Sequence, residues 1–294
     1  MKKSAELLWK ELLNNPAGRS DDLLKQVEEL VVTSTEPAEV SFGTSGWRGE
    51  LGGEFTLRNV QVVAEAIVQM YREADSALLR SLGVKNFEEF AKRGLLLGHD
   101  NRFMGDRFAQ VVGGVFRRHG IRVYFAGEAS TPEYSAGIEM LGAACAINLT
   151  PSHNAAHDAG FKFNPIDGGP AGPEVTDVIT RLANHRMATH RYIDDGTVEF
   201  ERVDLPQLYC QFLEKKGTLD LKLIRQFASS DDVAIVVDYV HGSTRGRPRT
   251  ILGEKARLIE LRTEDNYLFG GVAPEPTAKN MAGVVEELSK RKER

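Results

Sequence analysis

Residues 150–154 read Thr-Pro-Ser-His-Asn, so a hydroxyl, an imidazole and a carboxamide follow one another at Ser152, His153 and Asn154. They come straight after Ala-Ala-Cys-Ala-Ile-Asn-Leu (143–149), an apolar run with the length and abrupt ending of a strand in a covered sheet. Ligand chemistry in open α/β sheets gathers just outside the carboxyl ends of such strands. A serine at that place can carry a transferred group. Ser152 and His153 are adjacent, and adjacent side chains diverge, which disfavours a Ser–His hydrolase pair. The G-x-S-x-G elbow and an acid partner are missing as well. Taken alone, these residues fit a polar turn at a strand end better than a reactive centre.

Two further loops change that balance. Phe-Gly-Thr-Ser-Gly-Trp-Arg-Gly (42–49) and Gly-His-Asp-Asn-Arg (98–102) share with the stretch 150–163 a mixture of small residues and one cation, namely Arg48, Arg102 and Lys162. Glycines let backbone N–H groups approach an anion closely, and helix starts favour negative charge. A phosphate is the natural guest. Thr44 and Ser45 either donate to that phosphate or cap the turn that carries them.

These segments, together with Gly-Phe-Lys (160–162), Val-Val-Asp-Tyr-Val-His-Gly-Ser-Thr-Arg-Gly (236–246) and Pro-Glu-Pro-Thr (274–277), stand in an order that resembles the phosphohexomutase family, which includes phosphoglucomutase and phosphomannomutase. The run Phe-Lys-Phe-Asn-Pro-Ile-Asp-Gly-Gly-Pro-Ala-Gly (161–172) is most similar to the phosphoglucomutase branch. The resemblance implies a phosphoserine at Ser152. Its phosphate passes to a hexose phosphate, giving a hexose bisphosphate that reorients and returns its other phosphate to the serine. Arg48 and Lys162 then match positions beside the phosphoserine, Lys162 as the group exchanging a proton with the sugar hydroxyl. An ordinary lysine titrates near 10.4, so that role calls for burial or neighbouring cations. His153 is expected to orient the loop or assist proton transfer, and Asn154 to hold the loop through backbone groups. Asp100 and Arg102 are expected to brace the loop as a pair, and His157 to be exposed.

The family pattern is not complete. Ala155 and Ala156 stand where the common loop has a proline after Asn154. The resemblance also implies Mg2+, held by an aspartate-rich DGDxDR-type loop with the phosphoserine of Ser152 as a further ligand. Asp167-Gly168-Gly169 and Asp194-Asp195-Gly196 have the wrong spacing for such a loop. The later sugar-recognition and phosphate-binding loops have no counterpart either. The expected partners are a hexose phosphate, a hexose bisphosphate and a second chain supplying the missing domains, with little mutase turnover by this chain alone. A noncatalytic phosphosugar-binding or partner-binding protein is the competing reading.

The elements that must position these loops alternate between strand and helix, which predicts an α/β fold. The expected architecture is a three-layer α/β/α domain with a mixed, mostly parallel sheet (39–190), then an incomplete α/β/α domain (204–294). A helical extension (1–38) precedes them. Thr56 is a predicted N-cap, one long helix is predicted over 205–227 with a break near Gly217, and residues 190–203 form a polar boundary. With 294 residues, 41% of them hydrophobic and 27% charged, the chain has the composition of a globular protein. A net charge of −5 argues against nonspecific nucleic-acid binding. No apolar run approaches the roughly 20 residues of a membrane span. Two distant cysteines, Cys145 and Cys210, with an N-terminus too interrupted by charge for a signal peptide, predict a cytoplasmic protein.

Overall fold

The computed structural model describes residues 3–14, 20–43, 46–217 and 219–290. Two amphipathic helices open the chain, α1 (Ala5–Asn14) and α2 (Ser20–Thr33). Their apolar faces enter the main core through Leu8, Trp9, Leu12, Val27 and Val31. The Trp9 indole N–H donates to the Leu51 carbonyl at 2.8 Å, tying the first helix to the turn after β1 (Trp47–Glu50).

Thr56 caps α3 (Leu57–Glu73) by accepting from the Asn59 N–H at 3.2 Å. Two short helices follow, α4 (Ser76–Ser81) and α5 (Phe87–Arg93), where helical spacing alone suggests one patch. Gly83, at φ +70°, turns the chain between them. Then come β2 (Leu95–His99), α6 (Gly105–Arg118), β3 (Val123–Glu128), α7 (Thr131–Leu141), β4 (Cys145–Leu149) and β5 (Asp158–Asn164). After α8 (Pro173–Met187), the polar segment predicted as a boundary adds a two-residue edge strand, β6 (Glu201–Arg202).

The sheet order is β1-β5-β4-β2-β3-β6. β4, β2, β3 and β6 run parallel, whereas β5 is antiparallel to both β4 and β1. Every residue of β4 is buried, as the continuous apolar run requires of a central strand. Alternation divides the strands between two faces. Leu95, Leu97, Ile147 and Phe161 join α3, α6 and α8 in the larger core, while Leu96 and Ala146 pack with Tyr134 and Ile138 of α7 and Leu205. This is a three-layer α/β/α unit with a mixed sheet.

The predicted long helix is two: α9 (Leu205–Lys216) and α10 (Leu221–Ala228). Gly217, in the left-handed region at φ +63°, ends the first, and Asp220 caps the second. β7 (Ile235–Asp238), α11 (Arg247–Leu252), β8 (Leu258–Leu261) and α12 (Ala282–Ser289) complete the described chain. β7 and β8 pair in parallel as a separate sheet whose residues are all half-buried. Leu223, Phe227, Val285 and Leu288 of the neighbouring helices are exposed. No described helix is long and apolar enough to cross a membrane.

Candidate active site

β2 and β4 end side by side, and the Asp100 N–H donates to the Leu149 carbonyl at 3.1 Å, so their exit loops start together. Asp100 is the hub of the hydrogen-bond network there. Its carboxylate accepts from the Thr150 hydroxyl at 2.6 Å and from Arg102 Nε at 3.1 Å. Thr150 Oγ1 in turn accepts from the Ser152 N–H at 3.0 Å.

The Arg102 guanidinium spends its remaining N–H groups on loop carbonyls: Ala155 and Asn154 at 2.6 Å each, Ser152 at 3.1 Å and Asp158 at 3.4 Å. A planar fork with five donors can staple several turns of backbone at once. Burial pushes the guanidinium below its ordinary value, and Asp100 opposes that loss. Charge-assisted bonds of this kind are roughly twice as strong as neutral ones. Arg102 is thus bonded to the Ser152 backbone.

Ser152 is exposed and sits in the left-handed region at φ +72°, so its backbone is held in a conformation that L side chains avoid. Gly160, in β5, makes room for the loop. A Cβ there would lie 2.5 Å from the Thr150 carbonyl oxygen and 2.8 Å from Pro151 Cα. His153 is exposed beside Ser152. The Asn154 side chain donates to the Asp158 carboxylate at 2.9 Å rather than to backbone. His157 is half-buried rather than exposed, with Nε2 3.7 Å from Asp158.

Lys162 lies on β5, a strand that sequence treated as loop, directly opposite Asn148 of β4. Arg48 pairs with Gly160 in the β1–β5 register and so shares the face of Lys162. Arg48 is exposed and Lys162 half-buried. Burial, then the Arg48 charge, lower the Lys162 ammonium from its ordinary value, with Asp100 pulling the other way. Thr44 and Ser45, expected either to donate to the phosphate or to cap their turn, lie outside the described residues.

The loop opens onto a cavity of about 360 Å³. One wall carries Ser152, His153, Thr150, Asp100, Arg102 and Asn148; Ser130 and Thr131, at the start of α7, border it. The opposite wall comes from the β7–β8 region: Gly242, Ser243, Thr244, Phe269, Pro274 and Pro276. A second cavity of about 410 Å³ holds Lys162 with Phe42, Gly43 and Gly46, and Thr131 borders both.

Several contacts hold the two walls together. The Asn101 amide donates to the His241 carbonyl, and the Arg102 guanidinium lies 4.8 Å from the Phe269 ring centre. Arg245 pairs with Glu128 at 2.8 Å and Arg247 with buried Glu133 at 2.9 Å. Val240, His241 and Phe269 all have positive φ without being glycine. Strained backbone thus gathers on both sides of the cavity. Asn101, Thr150, Asn148 and Phe269 are site residues that sequence did not single out. For the first two the signal was present, since both stand inside motifs already noted.

Among the described residues, no group of three or more His, Cys, Asp or Glu side chains is placed to hold a metal ion. Asp100 is engaged by Arg102 and Thr150. Among the described residues, those around the cavity do not fit a resident Mg2+ site.

The family model for phosphoglucomutase/phosphomannomutase, alpha/beta/alpha domain I, matches residues 39–190, just over half of the chain. Phosphoglucosamine mutase of Leuconostoc mesenteroides is 27% identical over 230 residues, covering 77% of this chain and 46% of that protein. Phosphoglucomutase 1 of Drosophila melanogaster is 26% identical over 293 residues, covering 88% and 48%. Among solved structures, an assigned phosphomannomutase of Thermus thermophilus superposes with a TM-score of 0.67 at 30% identity, covering 86% of this chain and 52% of that one. The chain spans about half the length of these proteins.

Proposed function

Because the chain belongs to the phosphoglucomutase/phosphomannomutase family, we propose that Ser152 is a phosphoryl carrier, and that the molecule provides the serine half of a glucose 1-phosphate/glucose 6-phosphate interconversion. What supports this reading above all is the Asp100–Arg102–Thr150 bracing of a left-handed, solvent-facing serine at the mouth of a cavity with walls from both sheets.

In the transfer to sugar, a hydroxyl oxygen of the hexose phosphate attacks the phosphorus on Ser152. The new O–P bond forms as the P–Oγ bond breaks, the hydroxyl proton passes to neutral Lys162, and Ser152 Oγ leaves with the bonding pair and takes a proton from solvent. The bisphosphate reorients and the reverse step restores the phosphoserine. Phosphoryl transfer needs mostly positioning and charge stabilisation. Arg48, which shares a face of β1 and β5 with Lys162, supplies positive charge, Lys162 becomes cationic only as it takes the proton, and Arg102 fixes the loop without spending its donors on phosphate. Turnover is low for the chain alone, since no carboxylate set for Mg2+ is present among the described residues. A partner chain carrying such a set would complete the reaction.

Intact-mass measurement after incubation with glucose 1,6-bisphosphate and Mg2+ tests the carrier. One added phosphoryl group, mapped to Ser152 and absent from Ser152→Ala, is the expected result. An unlabelled protein, or a label mapped elsewhere, overturns the reading. A mannose bisphosphate run alongside reports which hexose is preferred.

A further inference from the structure

Asn148 does not belong with its surroundings. It sits inside the apolar run of β4, 2% exposed, and its side-chain oxygen is buried without a hydrogen-bond partner. Leaving a buried acceptor unpaired costs about 1–3 kcal/mol, which ordinarily removes an amide from such a place unless something uses it. The side chain borders the Ser152 cavity.

The sheet register shows what lies within its reach. Lys162 stands directly opposite Asn148 on β5, and Gly98 stands opposite it on β2. Directly opposed residues share a face and, in an antiparallel pair, hold their Cβ atoms about 4.5–5.5 Å apart. A lysine side chain spans that gap easily. On the Gly98 side the Tyr134 hydroxyl is also buried without a partner, and a Cβ added at Gly98 would meet it at 2.2 Å. One row across the sheet thus carries a lysine and an amide oxygen without a partner, with the unpartnered Tyr134 hydroxyl of α7 packed over its Gly98 end. No hydrogen bond or ion pair joins the Lys162 ammonium to any described residue in this arrangement, and its side chain lines the neighbouring cavity.

We propose that Asn148 is the positioning residue for Lys162: its buried amide oxygen accepts from the lysine Nζ and draws that group across β4 to the Ser152 cavity. The assignment rests on the reading of Lys162 as the proton-exchanging group. An amide suits the task better than a carboxylate. It orients the amine without supplying the negative charge that would hold the proton on it. The charged groups facing Lys162 are Arg48 on β1 and Asp100 after β2, and they act in opposite senses. A neutral acceptor leaves that balance undisturbed. Tyr134 is the competing donor to the same oxygen.

The decisive measurement follows the Asn148 side-chain amide resonances by NMR while pH carries Lys162 through its titration. Shifts that track a single midpoint below the ordinary lysine range, absent in Lys162→Met and retained in Tyr134→Phe, are expected. Amide signals that stay constant, or that change identically in Lys162→Met, overturn the proposal, and neither result requires phosphate chemistry. Asn148→Asp should move the Lys162 midpoint upward. Asn148→Leu should slow phosphorylation of Ser152 by glucose 1,6-bisphosphate about tenfold, against about a hundredfold or more for Lys162→Met. An unchanged rate in Asn148→Leu would reject the functional part even where the NMR coupling holds. If wild-type protein takes no label, the carrier reading fails while the NMR result still decides whether the two side chains meet.

Discussion

The two sheets of this molecule are built to different standards. In the first, β2 and β4 are buried almost end to end between two helical layers, and Leu95, Leu96, Leu97 and Ile147 are fully inaccessible. In the second, all eight residues of β7 and β8 remain half-buried, and apolar side chains of α10 and α12 face outward. The first unit can bury its own strands; the second leans on its neighbour. Yet the cavity at Ser152 takes one wall from each. The cavity borrows a surface from the weaker half, and elements that close over ligands are commonly drawn from the low-stability end of a structure.

The sharpest test of that contrast is at the junction. Arg102→Met leaves Asp100 buried without its cation and frees four loop carbonyls, so we expect a loss of about 3–5 kcal/mol in urea unfolding, with the Ser152 loop disordered. Next comes a matched pair of truncations. Leu97→Ala, in the filled core, should cost about 2–5 kcal/mol, whereas Val237→Ala on half-buried β7 should cost about 1 kcal/mol. Equal costs would refute the difference in packing. Arg247→Met should remove about 1.5–3 kcal/mol, registered by hydrogen exchange as early opening of β7–β8 while β2 and β4 stay protected.

The smallest effect concerns acid. Burial pushes the Asp238 carboxyl up, but the Arg262 hydrogen bonds, at 2.7 and 2.6 Å, the Val240 N–H and the charges of Arg262 and His241 together hold the group below its ordinary value. A folded value below the unfolded one, near 3.9, stabilises at higher pH and is lost as pH falls through the folded value. The second sheet should therefore loosen only below about pH 4, followed by tyrosine fluorescence or exchange, and Asp238→Asn should abolish that step.

Much of the first unit was readable because its strands are continuous apolar runs and its helices amphipathic. β5 was not. Asp-Ala-Gly-Phe-Lys-Phe-Asn turns Phe161 and Phe163 to the core and Lys162 to the second cavity, and seven residues beginning with Asp and containing Gly look like an extension of the preceding loop. β6 was hidden for another reason, since two charged edge residues carry no hydrophobic pattern at all. At the site, the order of motifs pointed to the Ser152 loop, whereas the Arg102 fan could not be read. Its partners lie 50 and more positions away, and only the β2–β4 pairing brings them near. Asn148 was masked by its neighbours, being one polar letter in an apolar word.

The left-handed backbone at Ser152 has a consequence for how this position can drift. Non-glycine residues pay about 1–2 kcal/mol to hold that conformation, and glycine does not. Ser152→Gly should therefore fold better than the parent while losing the hydroxyl. Random mutation and a filter for robust folding would together tend to erase the serine, so a lineage that keeps it is being selected for what the hydroxyl does.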